Sequence, residues 1–268
     1  MLKDISPDWP GPFTGTIGRG RPSSTVEKAP LPGVALDHEL LIRNGIWGFE
    51  HFDIRARSFV LLRSQLMNRF HQPGGRILAI TSTRPGEGKT YVTANLAAAL
   101  SRIHPTTLID LDLRRPSIAT RFGLTVEHGV EDFLAGDTDW SSTGQKIAGA
   151  QLTIHGTRQS RPDTAEMLAS DALREVFASF KALPGAPLCI VDTPPILMLD
   201  DANLIARHAD GVLMVIEEGR TRGRDVEEAL RLLGTTPVVG SVLNKSLSIS
   251  KSNVDYAYYD DLKSRRQN

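Results

Sequence analysis

The octapeptide Thr83-Arg84-Pro85-Gly86-Glu87-Gly88-Lys89-Thr90 limits what this chain can fold into more than any other stretch. An apolar run, RILAITS, precedes it, and an Ala- and Leu-rich run, GKTYVTANLAAALSRI, follows. A strand, a glycine-rich turn and a helix in that order form a phosphate loop. Backbone N–H groups wrap the phosphates, and the helix N-terminus aims its partial positive charge at them. Gly86 and Gly88 let the backbone come close. Lys89 is placed to reach the β- and γ-phosphates, and the Thr90 hydroxyl to meet Mg²⁺. The usual pattern G-x-x-x-x-G-K-[ST] opens on glycine, and Thr83 stands in that place here.

The rest of the chain repeats the alternation. TTLIDLD, QLTIHG, PLCIVDT, GVLMVIEE and PVVGSVLN read as strands. GVEDFLAG, TAEMLASDALREVFASFKAL, DDANLIARHA and RDVEEALRLLG read as helices. Apolar strands without polar alternation mean that both sheet faces are covered. Strands alternating with helices mean right-handed crossovers and a mostly parallel sheet. The fold class is therefore α/β, a three-layer phosphate-loop fold. Residues 54–70 read as a leading helix with Phe59, Leu62, Leu66 and Met67 on one face. Residues 1–50, rich in Pro, Gly and Ser at their start, are expected to form a flexible N-terminal tail. The domain then spans 51–247, and 248–268 lose the pattern and read as a polar C-terminal tail.

Composition removes several alternatives. Lys and Arg number 31, as do Asp and Glu, so the formal charge is zero. That argues against a nucleic-acid coat, and no nucleic-acid partner is expected. The one cysteine, Cys189, cannot form an intramolecular disulfide or a cysteine-rich metal site. The seven histidines show no metal-ligand spacing. No run approaches the ~18–20 apolar residues of a spanning helix, and MLKDISPDWPGPF lacks the apolar core of a signal peptide. A cytoplasmic protein that meets a membrane only through a partner is the expectation.

Two further motifs carry chemistry. Asp110 and Asp112 follow an apolar strand, and the period of two points them the same way. Two carboxylates beside a phosphate loop suit Mg²⁺ or a general base. Asp192 ends the run LCIVD, the Walker B form, which holds the metal through its carboxylate or a water. Three of the four tyrosines, Tyr256, Tyr258 and Tyr259, cluster in the C-terminal tail; the fourth, Tyr91, follows the loop and reads as packing at its edge.

Pro85–Thr90, Asp110-x-Asp112-x-Arg114 and Asp192-x-Pro194-Pro195, in this order, resemble the bacterial tyrosine kinases of polysaccharide assembly. GVEDFLAG, RPDTAEML, GVLMVIEEGRTR and SVLNK extend the likeness over roughly 55–260. The resemblance implies an ATP- and Mg²⁺-dependent protein-tyrosine autokinase. Pro85, Gly86, Glu87, Gly88, Lys89, Thr90, Tyr91, Arg114 and Asn244 would then bind nucleotide. Thr90, Asp112 and Asp192 would hold the metal. Lys89, Asp110 and Asp112 would be catalytic, either aspartate drawing the proton from a tyrosine hydroxyl. Tyr256, Tyr258 and Tyr259 would be the autophosphorylation sites. A membrane-bound polysaccharide chain-length or co-polymerase protein would activate the chain in trans and recruit it to the inner face of the membrane. The family commonly joins subunits into rings through E-x-x-R-x-x-R, and a homo-oligomer follows from that. The matching positions here are Arg57, Val60 and Arg63, of which only the last agrees. A deviant Walker A positioning ATPase of the septum-site or partition type is the alternative. Those proteins commonly carry a signature lysine where this chain has Arg84.

Overall fold

A seven-stranded sheet carries the architecture of the computed structural model, which describes residues 33–50, 53–182, 185 and 187–246. The strands are β1 (Ile77–Ser82), β2 (Thr106–Asp110), β3 (Gly144–Lys146), β4 (Leu152–His155), β5 (Leu188–Asp192), β6 (Gly211–Glu217) and β7 (Val238–Asn244). Their order is β3-β4-β2-β5-β1-β6-β7, parallel throughout except for the antiparallel pair β3–β4. The α-helices are α1 (His38–Arg43), α2 (Arg57–Leu66), α3 (Lys89–Ser101), α4 (Ile118–Phe122), α5 (Val130–Ala135), α6 (Trp140–Thr143), α7 (Thr164–Leu168), α8 (Asp171–Ala182), α9 (Asp201–Ala206) and α10 (Gly223–Leu233).

The apolar strands are covered on both faces, as their composition requires. On β1, Ile77 and Ala79 belong to a core with Phe177, Ile205 and Ala229, whereas Leu78 and Ile80 belong to one with Leu96, Leu100 and Phe122. The expected helix over 164–183 is two helices. Ser170 precedes α8 and Asp171 begins it; serine favours a helix cap, and an acidic first turn suits the helix dipole, so a new helix starts there. The leading helix is also divided, into a 3₁₀ turn at Ile54–Ala56, α2, and a π turn at Met67–His71.

Residues 33–50 correct the expectation of a flexible tail reaching to residue 50. Asp37 caps α1, accepting from the N–H groups of Glu39 and Leu40. Leu41, Ile46 and Trp47 are buried. The reason lies in α3, whose side chains are buried at Thr90 and from Val92 through Ser101. A helix buried all round needs cover on the face turned away from the sheet, and α2 and 33–50 supply it. Asn95 ties the cover down. Its Oδ1 accepts from the N–H of Trp47 at 2.6 Å and of Gly48 at 3.0 Å, and its Nδ2 donates to the Gly45 carbonyl at 2.9 Å. Arg63 likewise turns onto its own domain, donating to the Ala99 carbonyl at 3.1 Å. Among the described residues no helix is long and apolar enough to cross a membrane. Tyr256, Tyr258 and Tyr259 lie outside the described residues.

Candidate active site

Parallel strands end together, and here β2 and β5 end on aspartates set side by side, Asp110 opposite Asp192. The carboxyl ends of such strands are where open α/β sheets bind ligands. The loop after β1 crosses this edge and turns into α3 at Gly88, whose φ is +97°. That left-handed φ favours glycine, and a Cβ at Gly88 would lie 2.0 Å from Nδ2 of Asn244 and displace it.

Lys89 is the centre of the site. Its Nζ lies 2.7 Å from Asp112 Oδ2, 3.0 Å from Thr90 Oγ1 and 3.5 Å from Asp192 Oδ2. Burial works against its charge, but the carboxylates of Asp192 and Asp112 outweigh burial and hold its pKa above the ordinary lysine value. Thr90 Oγ1 donates to Asp192 Oδ2 at 2.7 Å, and Thr93 Oγ1 lies 3.0 Å from Asp192 Oδ1. Burial still leaves Asp192 above the usual carboxylate range, against the pull of Lys89 and Thr90. Asp110 is pushed up to about 7 by burial and by Asp192 beside it.

The strand ends at Asp110, so the two-residue period no longer aims Asp112, and the two carboxylates part. Asp112 lies in the wall of a cavity of about 820 Å³. Asp110 is fully buried behind it, its oxygens accepting from the N–H groups of Asp112 (3.2 Å), Ser117 (3.0 Å) and Ile118 (3.0 Å). The cavity is of the size of a nucleotide pocket. Pro85, Gly86, Gly88, Lys89, Thr90, Tyr91, Asp112, Arg114 and Asn244 all line it. Arg114 is aimed by Asp201, whose buried Oδ2 accepts from Nε at 2.9 Å. Tyr91 packs edge-on against Phe59, ring centroids 5.5 Å apart.

Glu87 departs from the place expected of it in the binding wall. It is buried, and its carboxylate accepts from Thr83 Oγ1 at 2.8 Å, the Arg84 N–H at 3.0 Å and Thr221 Oγ1 at 2.5 Å. Thr83, in the usual glycine's place, thus anchors the loop from within. Arg84 points away as well and forms a two-pronged pair with Asp225 on α10, at 3.0 and 3.1 Å.

Sequence reasoning missed Thr93, Lys245, Arg115 and Arg121. Thr93 lies one turn past Thr90 on the same helix face, which the helical period could have shown. Lys245 follows Asn244 and donates to the Gly86 carbonyl at 2.7 Å, so β7 holds the loop from its far side. Arg115 and Arg121 line the cavity after β2; Arg115 follows the Asp110-x-Asp112-x-Arg114 motif without a role in it, and no motif marked Arg121.

Similar proteins give this geometry a context. No protein-family model matches the chain. The chain is 32% identical over 211 residues to the tyrosine-protein kinase Wzc of Salmonella typhimurium, a match covering 78% of this chain and 29% of that protein. It is 33% identical over 184 residues to the tyrosine-protein kinase YwqD of Bacillus subtilis, covering 67% of this chain and 76% of that one. The chain belongs to the bacterial tyrosine kinase family. The kinase domain of the Escherichia coli tyrosine kinase ETK superposes with a TM-score of 0.65 at 29% identity, covering 70% of this chain and 74% of that domain. The chain thus spans less than a third of the length of Wzc but most of YwqD.

The residues of this site fit a magnesium–nucleotide. Thr90, Asp112 and Asp192 offer hard oxygen donors around the Lys89 ammonium. Among the described residues no group of three His, Cys, Asp or Glu side chains forms an all-protein metal cage. Mg²⁺ takes one or two carboxylates and completes its shell with water and phosphate oxygens.

Proposed function

We propose that the chain is an ATP-dependent protein-tyrosine kinase that phosphorylates Tyr256, Tyr258 and Tyr259 of its own C-terminal cluster and so regulates exopolysaccharide or capsule synthesis and export. The observation that carries this reading is the Lys89 ammonium held between Asp112 and Asp192 at the mouth of a phosphate loop.

In this reading ATP is the substrate. The backbone N–H groups of 86–90 and Lys89 bind its phosphates, where charge gathers during transfer. Arg114 steadies that charge, and Asn244, now donating to the Glu87 carbonyl at 2.8 Å, is the side chain that meets the base. Thr90, Asp112 and Asp192 would hold Mg²⁺, which would neutralise charge on the phosphate oxygens. A tyrosine hydroxyl with a pKa near 10 is a poor nucleophile at neutral pH. Of the two candidate aspartates, Asp112 at the cavity wall is the one that takes its proton, and Asp110 fixes the turn that presents it. A membrane-bound polysaccharide chain-length protein activates the chain in trans and brings it to the inner face of the membrane.

The test is incubation with labelled ATP and Mg²⁺, with and without the cytoplasmic segment of a chain-length protein, followed by phosphotyrosine mapping. Lys89→Ala is expected to abolish phosphotyrosine while the protein stays folded. Asp112→Asn and Asp192→Asn are expected to weaken Mg²⁺ use, and Asp110→Asn to slow turnover with nucleotide still bound. Phosphotyrosine at the unmodified level in Lys89→Ala would sink the assignment.

A further inference from the structure

The cavity has two ends, and the sheet order sets their separation. Asn244 ends β7, whereas Arg115 and Arg121 follow β2, and three strands stand between. Four strand spacings of about 4.8 Å separate the ends of β7 and β2 by about 19 Å; the phosphate loop after β1 lies between them, and Asn244 reaches back to it through Nδ2 on the Glu87 carbonyl. A nucleotide with its base at Asn244 and its phosphates at Lys89 leaves the β2 end of the cavity open.

That end is basic and unneutralised. Arg84, Arg114, Arg158 and Arg161 each hold a carboxylate of their own chain. Arg115 and Arg121 do not: among the described residues neither forms an ion pair. Arg121 Nη1 donates only to the Asn44 carbonyl, at 3.3 Å, and Arg115 bonds through its backbone N–H to Asp112. Arg115 is exposed and Arg121 half-buried, and both face the cavity. Asp112 is the one carboxylate in the cavity wall, and Lys89 already holds it.

The chain carries a segment of matching chemistry. Residues 254–261 read VDYAYYDD, with three tyrosines, three aspartates and no basic residue. Asp255 precedes the cluster, and Asp260 and Asp261 follow it. Ten links separate Ser246 from Tyr256 and span at most about 34 Å when extended, more than the width of the site. Guanidinium groups pair with carboxylates through parallel N–H donors, so two unpaired arginines beside the reaction centre favour an acidic partner.

We infer that Arg115 and Arg121 form a docking site for the aspartates that flank the tyrosine cluster, so that residues 254–261 enter the β2 end of the cavity by charge. The inference rests on the kinase reading above and adds to it what selects the acceptor: acidic residues on both sides of the tyrosine.

The test uses the full chain with Asp255, Asp260 and Asp261 of its own tail changed to Asn, so that the tail does not compete. A fluorescent peptide of residues 252–263 and its three-Asn counterpart are titrated against it by anisotropy. The native peptide is expected to bind about tenfold more tightly than the Asn peptide, the scale of a few partly exposed ion pairs, and to lose that preference at high salt. Arg115→Glu with Arg121→Glu should abolish the preference and leave nucleotide affinity unchanged. A peptide with Lys at the three positions should bind this variant best, and Arg115→Lys with Arg121→Lys should keep most of the preference. Equal affinity for the native and Asn peptides would overturn the inference. So would a charge-reversed protein that loses nucleotide binding along with the peptide, since the arginines would then serve the nucleotide. Adding Mg²⁺, ATP and the cytoplasmic segment of a chain-length protein tests the underlying reading separately. Preferential peptide binding with no phosphotyrosine on any peptide would keep the docking site and remove the kinase.

Discussion

Glu87 shows how one buried carboxylate can set the shape of a loop that binds anions. A negative charge under a phosphate site is unfavourable unless its oxygens are occupied, and here two hydroxyls and an N–H occupy them. Glu87→Ala leaves those donors without an acceptor, a loss of about 1–3 kcal/mol for buried groups. The expected outcome is a lower melting temperature together with weaker nucleotide binding, read by thermal melts and a fluorescent ATP analogue. Glu87→Gln, which keeps an acceptor oxygen, should recover part of both. Unchanged nucleotide affinity in Glu87→Ala would show that the loop holds its form without the brace. At this scale the sequence was legible where a residue type has few alternative uses. Lys89, Thr90 and Asp192 meet as their motifs imply. The inward turn of Glu87 and Asp110 was not legible, because it depends on Thr221 and Ser117, residues that no local pattern links to them.

At the scale of elements, β4 carries a built-in acid sensitivity. His155 ends it, stacked on Trp140 of α6 with ring centroids 4.0 Å apart and Nδ1 2.8 Å from Thr143 Oγ1. Complete burial pushes its pKa down to about 3, from an ordinary value of 6.5. The folded state therefore binds fewer protons than the unfolded chain between those values. Stability from this group is full above about pH 6.5 and is lost progressively as pH falls toward 3. His155→Phe cannot titrate, so its melting temperature should fall less steeply from pH 7 to pH 4; equal slopes would refute the role. The long or apolar elements around this region could be read from sequence because period and apolar content agree there. The antiparallel β3 and the short helices α4 and α6 could not. They are held by tertiary contacts such as Trp140 against Phe133 rather than by a periodic pattern of their own.

For the whole molecule, the decisive feature is the cover that 33–50 lays over α3. Leu41, Ile46 and Trp47 are buried there, and each large apolar side chain is worth about 1.5–3 kcal/mol when buried. A chain shortened to begin at residue 51 should melt well below the full chain, by about 2–4 °C per kcal/mol lost for a domain of this size. It should also bind nucleotide less tightly, because α3 begins at Lys89. Calorimetry and nucleotide titration on the two chains decide this, and equal melting temperatures would show the cover to be idle. The bond between Asn95 and the backbone at Trp47 and Gly48 has a mechanical meaning as well. The strap is pinned first to the sheet, where Val34 donates to the Lys146 carbonyl at 2.7 Å and accepts from the Ala148 N–H at 2.9 Å, and only then to α3 through Asn95. A pull applied at its start is therefore borne by the sheet edge before it reaches the helix. The sheet edge thereby shields the helix that Lys89 opens from a load arriving along the chain, and the strap acts as a strain relief.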